Sequence, residues 1–171
     1  AHLSLAMLIL VYLFWIMLDL LRVNERLAEV AVPGWLRAGA FSLLVLLVLQ
    51  IVWGAFVAGL RAGWGYNTFP DMNGEWMPEA VFYSSPWWIN LFESNATVQF
   101  VHRWLGTLLL VLALTLWLGA LRANLAGVLK QTVHAVMATT MLQYLLGVLT
   151  LIYVVPVGLG AIPQQIGRAH V

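Results

Sequence analysis

The chain contains no cysteine, which excludes disulfide bonds, iron–sulfur clusters, thiolate metal sites and a cysteine nucleophile. Charged residues are also scarce, at 9% of the 171 residues against roughly 25% in soluble domains. Eight lysines and arginines against seven aspartates and glutamates leave no basic stripe for nucleic acid. Hydrophobic residues reach 63%, and the mean hydropathy is +0.91. This composition predicts an integral membrane protein.

Four runs without Asp, Glu, Lys or Arg predict the membrane spans: residues 1–18, 38–60, 104–121 and 131–167. Each run is long enough for a helix of about 20 apolar residues, and none alternates as a barrel strand would. Pro156, Gly158 and Gly160 interrupt the last run, so we expect its helix to cover 131–155 and then bend. The predicted fold is all-α, with four transmembrane helices.

The distribution of basic residues predicts the orientation. The segment between the first two runs has three arginines, and the one between the last two has Arg122 and Lys130. The long segment between the second and third runs has only Arg61 and Arg103, one at each end. By the positive-inside rule, the two short segments face the cytoplasm and the long one faces outward.

Aromatic residues crowd the long outer segment: Trp64, Tyr66, Trp76, Phe82, Tyr83, Trp87, Trp88 and Phe92. They fit either an aromatic belt at the depth of the lipid headgroups or a lid over a large apolar ligand. Residues 67–74 are rich in Asn, Pro, Asp and Gly, the residues typical of turns. We therefore expect the segment to have a fixed shape.

His102, near the outer start of the third run, is the strongest candidate ligand. An ionisable residue beside an apolar helix suggests a function, and neutral imidazole is the usual axial ligand of heme iron. The neighbouring Arg103 could snorkel to the interface or pair with a heme propionate. The alternative is an interfacial histidine that is bonded to carbonyls of the loop.

The other histidines differ in position. His2 lies at the outer end of the first run, on the same side as His102. His134 lies near the inner face, about 25 Å from His102 along the helix rise, so we expect it to be interfacial or hydrogen-bonded within the bundle. His170 lies in a terminal segment and receives no role. Glu93 could orient a histidine or relay protons, but it could equally be a solvated acid.

Two further patterns concern contacts between helices. Small residues spaced four apart on the second run permit close packing or clearance for a planar macrocycle: Gly54, Ala55, Ala58 and Gly59. Four glutamines lie in or beside the spans, and interhelical hydrogen bonds would explain them: Gln50, Gln99, Gln131 and Gln143.

Three stretches together resemble the heme A synthase family. They are residues 59–76, with the Asn67-Thr68-Phe69-Pro70 turn, residues 90–103, which end in His102-Arg103, and residues 146–151 with the Val155-Pro156 turn that follows. The resemblance implies eight transmembrane helices in two four-helix halves. Residues 1–21 would be the last helix of the first, substrate-heme half, and 22–37 a cytoplasmic linker. Residues 38–165 would be the second, heme b half, with an outer loop at 61–97 and without its last helix.

The same resemblance implies the ligands. His102 would be an axial ligand of heme b iron, and His2 would bind the iron of the substrate heme. The acidic residue thought to act in catalysis in the family lies outside this chain, so no catalytic residue is predicted. The family has a second heme b histidine where this chain has Pro163, which cannot ligate iron. Residues 166–171 match a translated sequencing adapter, and we expect them to be non-native.

The activity implied by the resemblance is that of an oxidoreductase acting on a CH group. The enzyme would oxidise a methyl group of heme O to formyl, which gives heme A for cytochrome oxidase; this fragment would be inactive alone. The implied partners are membrane lipid, heme O synthase, cytochrome oxidase assembly factors and, in a homo-oligomer, a second copy of the chain. The implied location is a bacterial cell inner membrane. The alternatives are a b-type cytochrome that only transfers electrons and a membrane protein without heme.

Overall fold

The structure is a computed structural model that describes residues 12, 13, 16, 32–125 and 127–153. Across these residues regular structure is helical, apart from one bridge between Met72 and Glu75. The α-helices are α1 (Gly34–Gly59), α2 (Asn90–Glu93), α3 (Asn95–Arg122) and α4 (Gly127–Ile152). Two 3₁₀ turns, Ala62–Trp64 and Trp87–Ile89, lie in the segment between α1 and α2.

Three of these helices are long and apolar enough to cross a membrane. The helices α1, α3 and α4 have 26, 28 and 26 residues, and mean hydropathies of 2.4, 2.1 and 1.8. At 1.5 Å per residue each exceeds the roughly 30 Å of a hydrocarbon core. Large apolar side chains cover their outer surfaces, such as Phe41 at 67% and Leu142 at 56% exposed. These findings confirm an all-α, multi-pass membrane protein.

The helix bounds differ from those of the charge-free runs. The helix α3 begins at Asn95, nine residues before the predicted 104, because Ser94 caps it by accepting a hydrogen bond from the Thr97 amide. The start predicted for this helix was therefore wrong, since Arg103 lies inside the helix. The helix α4 runs from Gly127 rather than 131 and ends at Ile152 rather than 155. Most of the first predicted span lies outside the described residues.

The central helix of the described bundle is α3, which packs on both α1 and α4. Glycines bring the first turns of α1 close to the last turns of α3. A Cβ on Gly39 would overlap the side chain of Leu116, and a Cβ on Gly119 would lie 3.2 Å from the Trp35 ring. This close contact fixes the register of α1 against α3.

The segment between α1 and α3 folds into an outer cap with its own small core. Met72, Val81 and Asn90 are buried in it. The Asn90 side chain accepts from the Ser84 amide at 2.9 Å and donates to the carbonyls of Ser84 and Trp87 at 2.7 and 2.9 Å. The fixed shape predicted for this segment is therefore confirmed.

The aromatic residues of the cap divide into two groups. Four tryptophans are exposed, as expected for an interfacial belt: Trp64, Trp76, Trp87 and Trp88. Phe92 instead packs against the outer end of α1, with its ring centroid 6.2 Å from Trp53 and 5.5 Å from Phe56. The cap is thus seated on the bundle through Phe92.

Candidate functional site

His102 lies in α3 and faces α1. Its Nε2 atom is 3.3 Å from the side-chain amide nitrogen of Gln50. An amide nitrogen can only donate, so this contact matches the neutral tautomer in which Nε2 of His102 accepts and Nδ1 carries the proton. The alternative in which loop carbonyls hold His102 does not match this contact, because the partner is a side chain of a neighbouring transmembrane helix.

Two glycines make room for this polar pair. A Cβ on Gly54, one turn beyond Gln50, would lie 3.1 Å from Cε1 of His102. A Cβ on Gly106, one turn beyond His102, would lie 3.2 Å from the amide nitrogen of Gln50. Each polar side chain therefore rests on a glycine of the opposite helix. Gly54 therefore makes room for the His102 side chain, a role that differs from both the close helix packing and the clearance for a macrocycle considered for the small residues of α1.

Five buried polar atoms of the described residues, including one of His102, lack a hydrogen-bond partner. They are Nδ1 of His102, Oε1 of Gln50, Nε1 of Trp53, Oε1 of Gln99 and Nε of Arg103. All five belong to the outer halves of α1 and α3. Leaving such a group unpaired costs about 1–3 kcal/mol, so this concentration is typical of a site shaped by function.

Arg103 joins the cap to α3. One of its terminal nitrogens donates to the carbonyls of Thr68 and Asp71 at 2.8 and 2.7 Å, and the other donates to the carbonyl of Tyr66 at 2.6 Å. The side chain of Gln99 donates to the same Tyr66 carbonyl at 2.9 Å. The guanidinium thus binds carbonyls of the loop. This contact differs from both roles predicted for Arg103, snorkelling to the interface and pairing with a heme propionate.

The turn that Arg103 holds is also organised by Asp71. The carboxylate accepts hydrogen bonds from the Thr68 hydroxyl and from the Gly74 amide. These two hydrogen bonds, with the positive charge of Arg103 nearby, hold the pKa of Asp71 below its ordinary value. The carboxyl group of Asp71 is therefore ionised at neutral pH, beside the outer end of α3.

Comparison with known proteins matches residues 1–168 to the family COX15-CtaA, described as cytochrome oxidase assembly protein. The chain belongs to this family. Proteins named heme A synthase are similar to it: one from Bradyrhizobium sp. strain BTAi1 is 41% identical over 95% of this chain and 44% of its own length. One from Rhodopseudomonas palustris strain BisA53 is 42% identical over 96% of this chain and 45% of its own length.

A third heme A synthase, from Wolbachia pipientis wMel, is 44% identical over 72% of this chain and 33% of its own length. The chain thus spans about half the length, or less, of these curated relatives. No solved structure matches the chain. The predicted resemblance of the chain to the heme A synthase family is confirmed by these relatives.

The remaining predicted residues have different outcomes. His134 accepts a hydrogen bond from the Trp117 indole at 2.8 Å, which confirms that it is bonded within the bundle. Both line a cavity of about 130 Å³ where α3 ends and α4 begins. Glu93 is exposed in α2, as a solvated acid would be. His2, Pro163 and His170 lie outside the described residues.

His102 was predicted as a site residue from the sequence, but its contact with Gln50 was not. It foresaw interhelical hydrogen bonds for four glutamines, and Gln50 confirms this. Gln99 instead donates to the cap, while Gln131 and Gln143 are exposed. The missed signal was a spacing in the two helices that meet here. In α1, Gln50 is followed four residues later by Gly54, and in α3, His102 is followed four residues later by Gly106.

The donor chemistry around His102 fits a heme. The ring is neutral as bonded here, its Nε2 lone pair is the usual iron-binding atom, and it lies among apolar helices. Groups of three or more metal-binding side chains do not occur among the described residues. A ligand set for heme iron would draw its second member from elsewhere.

Proposed function

We propose that this chain is part of a heme A synthase and that His102 is an axial ligand of heme b iron. The observation that carries the proposal is the His102 imidazole inside the bundle, with its Nε2 atom 3.3 Å from the side-chain amide nitrogen of Gln50. Similarity to proteins named heme A synthase over 95% of the chain supports it. Such an enzyme would oxidise the methyl group of heme O to formyl, as an oxidoreductase acting on a CH group.

The helices and the cap would each have a role in such an enzyme. Heme b, when bound, supplies a one-electron acceptor. His102 would bind its iron, and the apolar surfaces of α1, α3 and α4 would surround the macrocycle in a lipid-like environment. The cap held by Arg103 would exclude bulk water from the outer end of the site.

Further parts of the proposal concern residues outside the described ones. We place His2 on the iron of substrate heme O, with residues 1–21 in the substrate-heme half and 38–165 in the heme b half. If Pro163 stands in place of the second heme b histidine, the heme b site is weakened. Heme O synthase and oxidase assembly factors are the proposed partners, and a bacterial inner membrane is the proposed location.

A chimera tests the proposed activity. The matching part of the Rhodopseudomonas palustris relative would be replaced by this chain, with either Pro163 or Pro163→His, in a host that makes heme O but no heme A. We expect heme A in membranes with the Pro163→His chimera, and none after His102→Ala. The control His134→Ala should keep activity, because His134 lies at the opposite end of the bundle.

The chimera also separates the alternatives. Bound heme b without any heme A would support the b-type cytochrome that only transfers electrons. Neither heme b nor heme A in any chimera, with the protein present in the membrane, would contradict the proposed function.

A further inference from the structure

The contact between Gln50 and His102 joins two residues that are 52 positions apart, on different transmembrane helices. The atom of Gln50 that faces the ring is its amide nitrogen, which donates to Nε2 at 3.3 Å. A histidine in an apolar helix bundle can carry its single proton on either nitrogen, and a hydrogen bond at one nitrogen decides which. Here the donor at Nε2 leaves the proton on Nδ1.

We propose that Gln50 is a positioning residue that sets the tautomer of His102 and covers its Nε2 lone pair until an iron atom displaces the amide. Metals bind a neutral imidazole through the lone pair of the unprotonated nitrogen. Gln50 therefore keeps His102 in the form that a heme iron needs. The part that concerns iron rests on the proposed function, whereas the tautomer does not.

The packing around the pair supports a specific role rather than a chance contact. Gly54 supports the His102 ring and Gly106 supports the Gln50 amide, so both side chains are held from two helices. At the same time, Oε1 of Gln50 and Nδ1 of His102 are buried without partners. A pair retained only for helix association would gain more from satisfying those atoms, since each unpaired group is destabilising.

The tautomer can be measured without heme. The chain would be labelled with ¹⁵N-histidine in lipid nanodiscs, and the His102 signals assigned by their loss in His102→Ala. We expect the wild-type ring to be protonated on Nδ1. In Gln50→Leu the preference should be lost, and in Gln50→Glu it should reverse, because a carboxylate accepts and draws the proton to Nε2.

Two further variants keep this test independent of a general effect on folding. Gly106→Ala leaves both side chains in place but puts a Cβ 3.2 Å from the Gln50 amide nitrogen, so it should shift the tautomer as Gln50→Leu does. Gln143→Leu makes the same chemical change at an exposed position of α4 and should leave His102 unchanged. A wild-type ring protonated on Nε2, or a tautomer indifferent to Gln50, would overturn the proposal.

Titration with hemin tests the covering role. In Gln50→Leu the loss of the tautomer preference about halves the fraction of His102 that can bind iron. The iron also no longer has to displace a hydrogen bond, and this larger effect should leave a net rise in hemin affinity of about two- to tenfold. An unchanged or lower affinity would overturn this role. If neither wild type nor variant binds hemin, the proposed function fails, while the tautomer measurement still decides whether Gln50 sets the state of His102.

Discussion

At the scale of single residues, glycine decides where polar groups can lie inside this bundle. Gly54 and Gly106 each face the polar side chain of the other helix, with Cβ distances of 3.1 and 3.2 Å had they been alanine. A larger residue at either place would have to push His102 or Gln50 out of position. Small residues on a transmembrane helix thus serve here to admit polar side chains as well as to bring backbones close.

Enlarging Gly54 should therefore disturb His102. We expect Gly54→Leu to destabilise the bundle by about 1–3 kcal/mol through overpacking. We also expect it to reduce hemin affinity by about tenfold or more, because the ring loses its place. Gly59→Leu is the matched control, since nothing lies within 4 Å of a Cβ there. Equal effects at both positions, measured by thermal unfolding and hemin titration, would contradict this account.

At the scale of elements, the cap is attached to α3 by a cluster of hydrogen bonds at one helical turn. Arg103, the residue after His102, donates to three carbonyls of the cap. Gln99 donates to one of the same carbonyls. A second attachment is made by Asn67, which donates to the Leu151 carbonyl near the end of α4 at 3.2 Å. Carbonyls of the cap that accept from α3, together with the Asn67 side chain that donates to α4, therefore set the position of the cap over the bundle.

Removing the Arg103 fork should open the cap. Hydrogen bonds from a charged group contribute about 1.5–3 kcal/mol each without being additive, so Arg103→Leu should lower the free energy of opening by about 2–4 kcal/mol. Arg103→Lys should recover only part of this, because a lysine lacks the planar fork. Hydrogen exchange of the amides in 66–75 is the measurement. The exposed Arg61→Lys is the control, and unchanged protection in Arg103→Leu would contradict the prediction.

The same turn should respond to acid. Since the pKa of Asp71 is lowered in the folded cap, its contribution to stability is present above the unfolded aspartate value of about 3.9. That contribution is lost as the pH falls through the lower, folded pKa. We expect the Gly74 amide resonance to titrate with a midpoint below about 3.9, the ordinary pKa of an aspartate. Asp71→Asn should abolish this titration, whereas Glu79→Gln, exposed in the same cap, should not; a midpoint above the reference would be contradictory.

Sequence reasoning reached some of these elements and missed others for identifiable reasons. Charge-free runs located α1, α3 and α4, because burial in lipid excludes charge along most of a span. They misplaced the start of α3, because Arg103 is accommodated inside the helix by carbonyls of the cap. A contact between residues more than 30 positions apart produces no periodic pattern in the sequence. The hydrogen bonds from Arg103 to the carbonyls of the cap could therefore not be predicted.

The polar pair was partly predictable. His102 is conspicuous as an ionisable residue beside an apolar helix, and Gln50 was expected to hydrogen-bond between helices. What decided their pairing was the register of α1 against α3, which depends on packing at Gly39 and Gly119. Register of this kind follows from the three-dimensional fit of side chains rather than from composition.

At the scale of the whole molecule, the three spans and the cap define a polarity across the membrane. The cap, the outer end of α3 and the end of α4 lie together, as the contact between Asn67 and Leu151 shows. Arg122 and Lys130 lie at the opposite end, near the cavity lined by His134. This arrangement agrees with an outward-facing cap and a cytoplasmic turn between α3 and α4.

The absence of cysteine makes this orientation easy to test. Two single-cysteine variants would be expressed in cells. Tyr83→Cys lies in the cap, where Tyr83 is 85% exposed, and Ala123→Cys lies in the turn after α3. A membrane-impermeant maleimide should label Tyr83→Cys from outside and label Ala123→Cys only after the membrane is opened. The opposite pattern would contradict the orientation, and the cysteine-free parent measures background labelling.

The central claim is that His102 binds heme iron, and hemin titration of the chain in lipid nanodiscs tests it most directly. We predict a Soret band that saturates with hemin in the wild type and in His134→Ala, and that is lost in His102→Ala. Equal binding by His102→Ala and the wild type, or no specific binding by the wild type, would contradict the account.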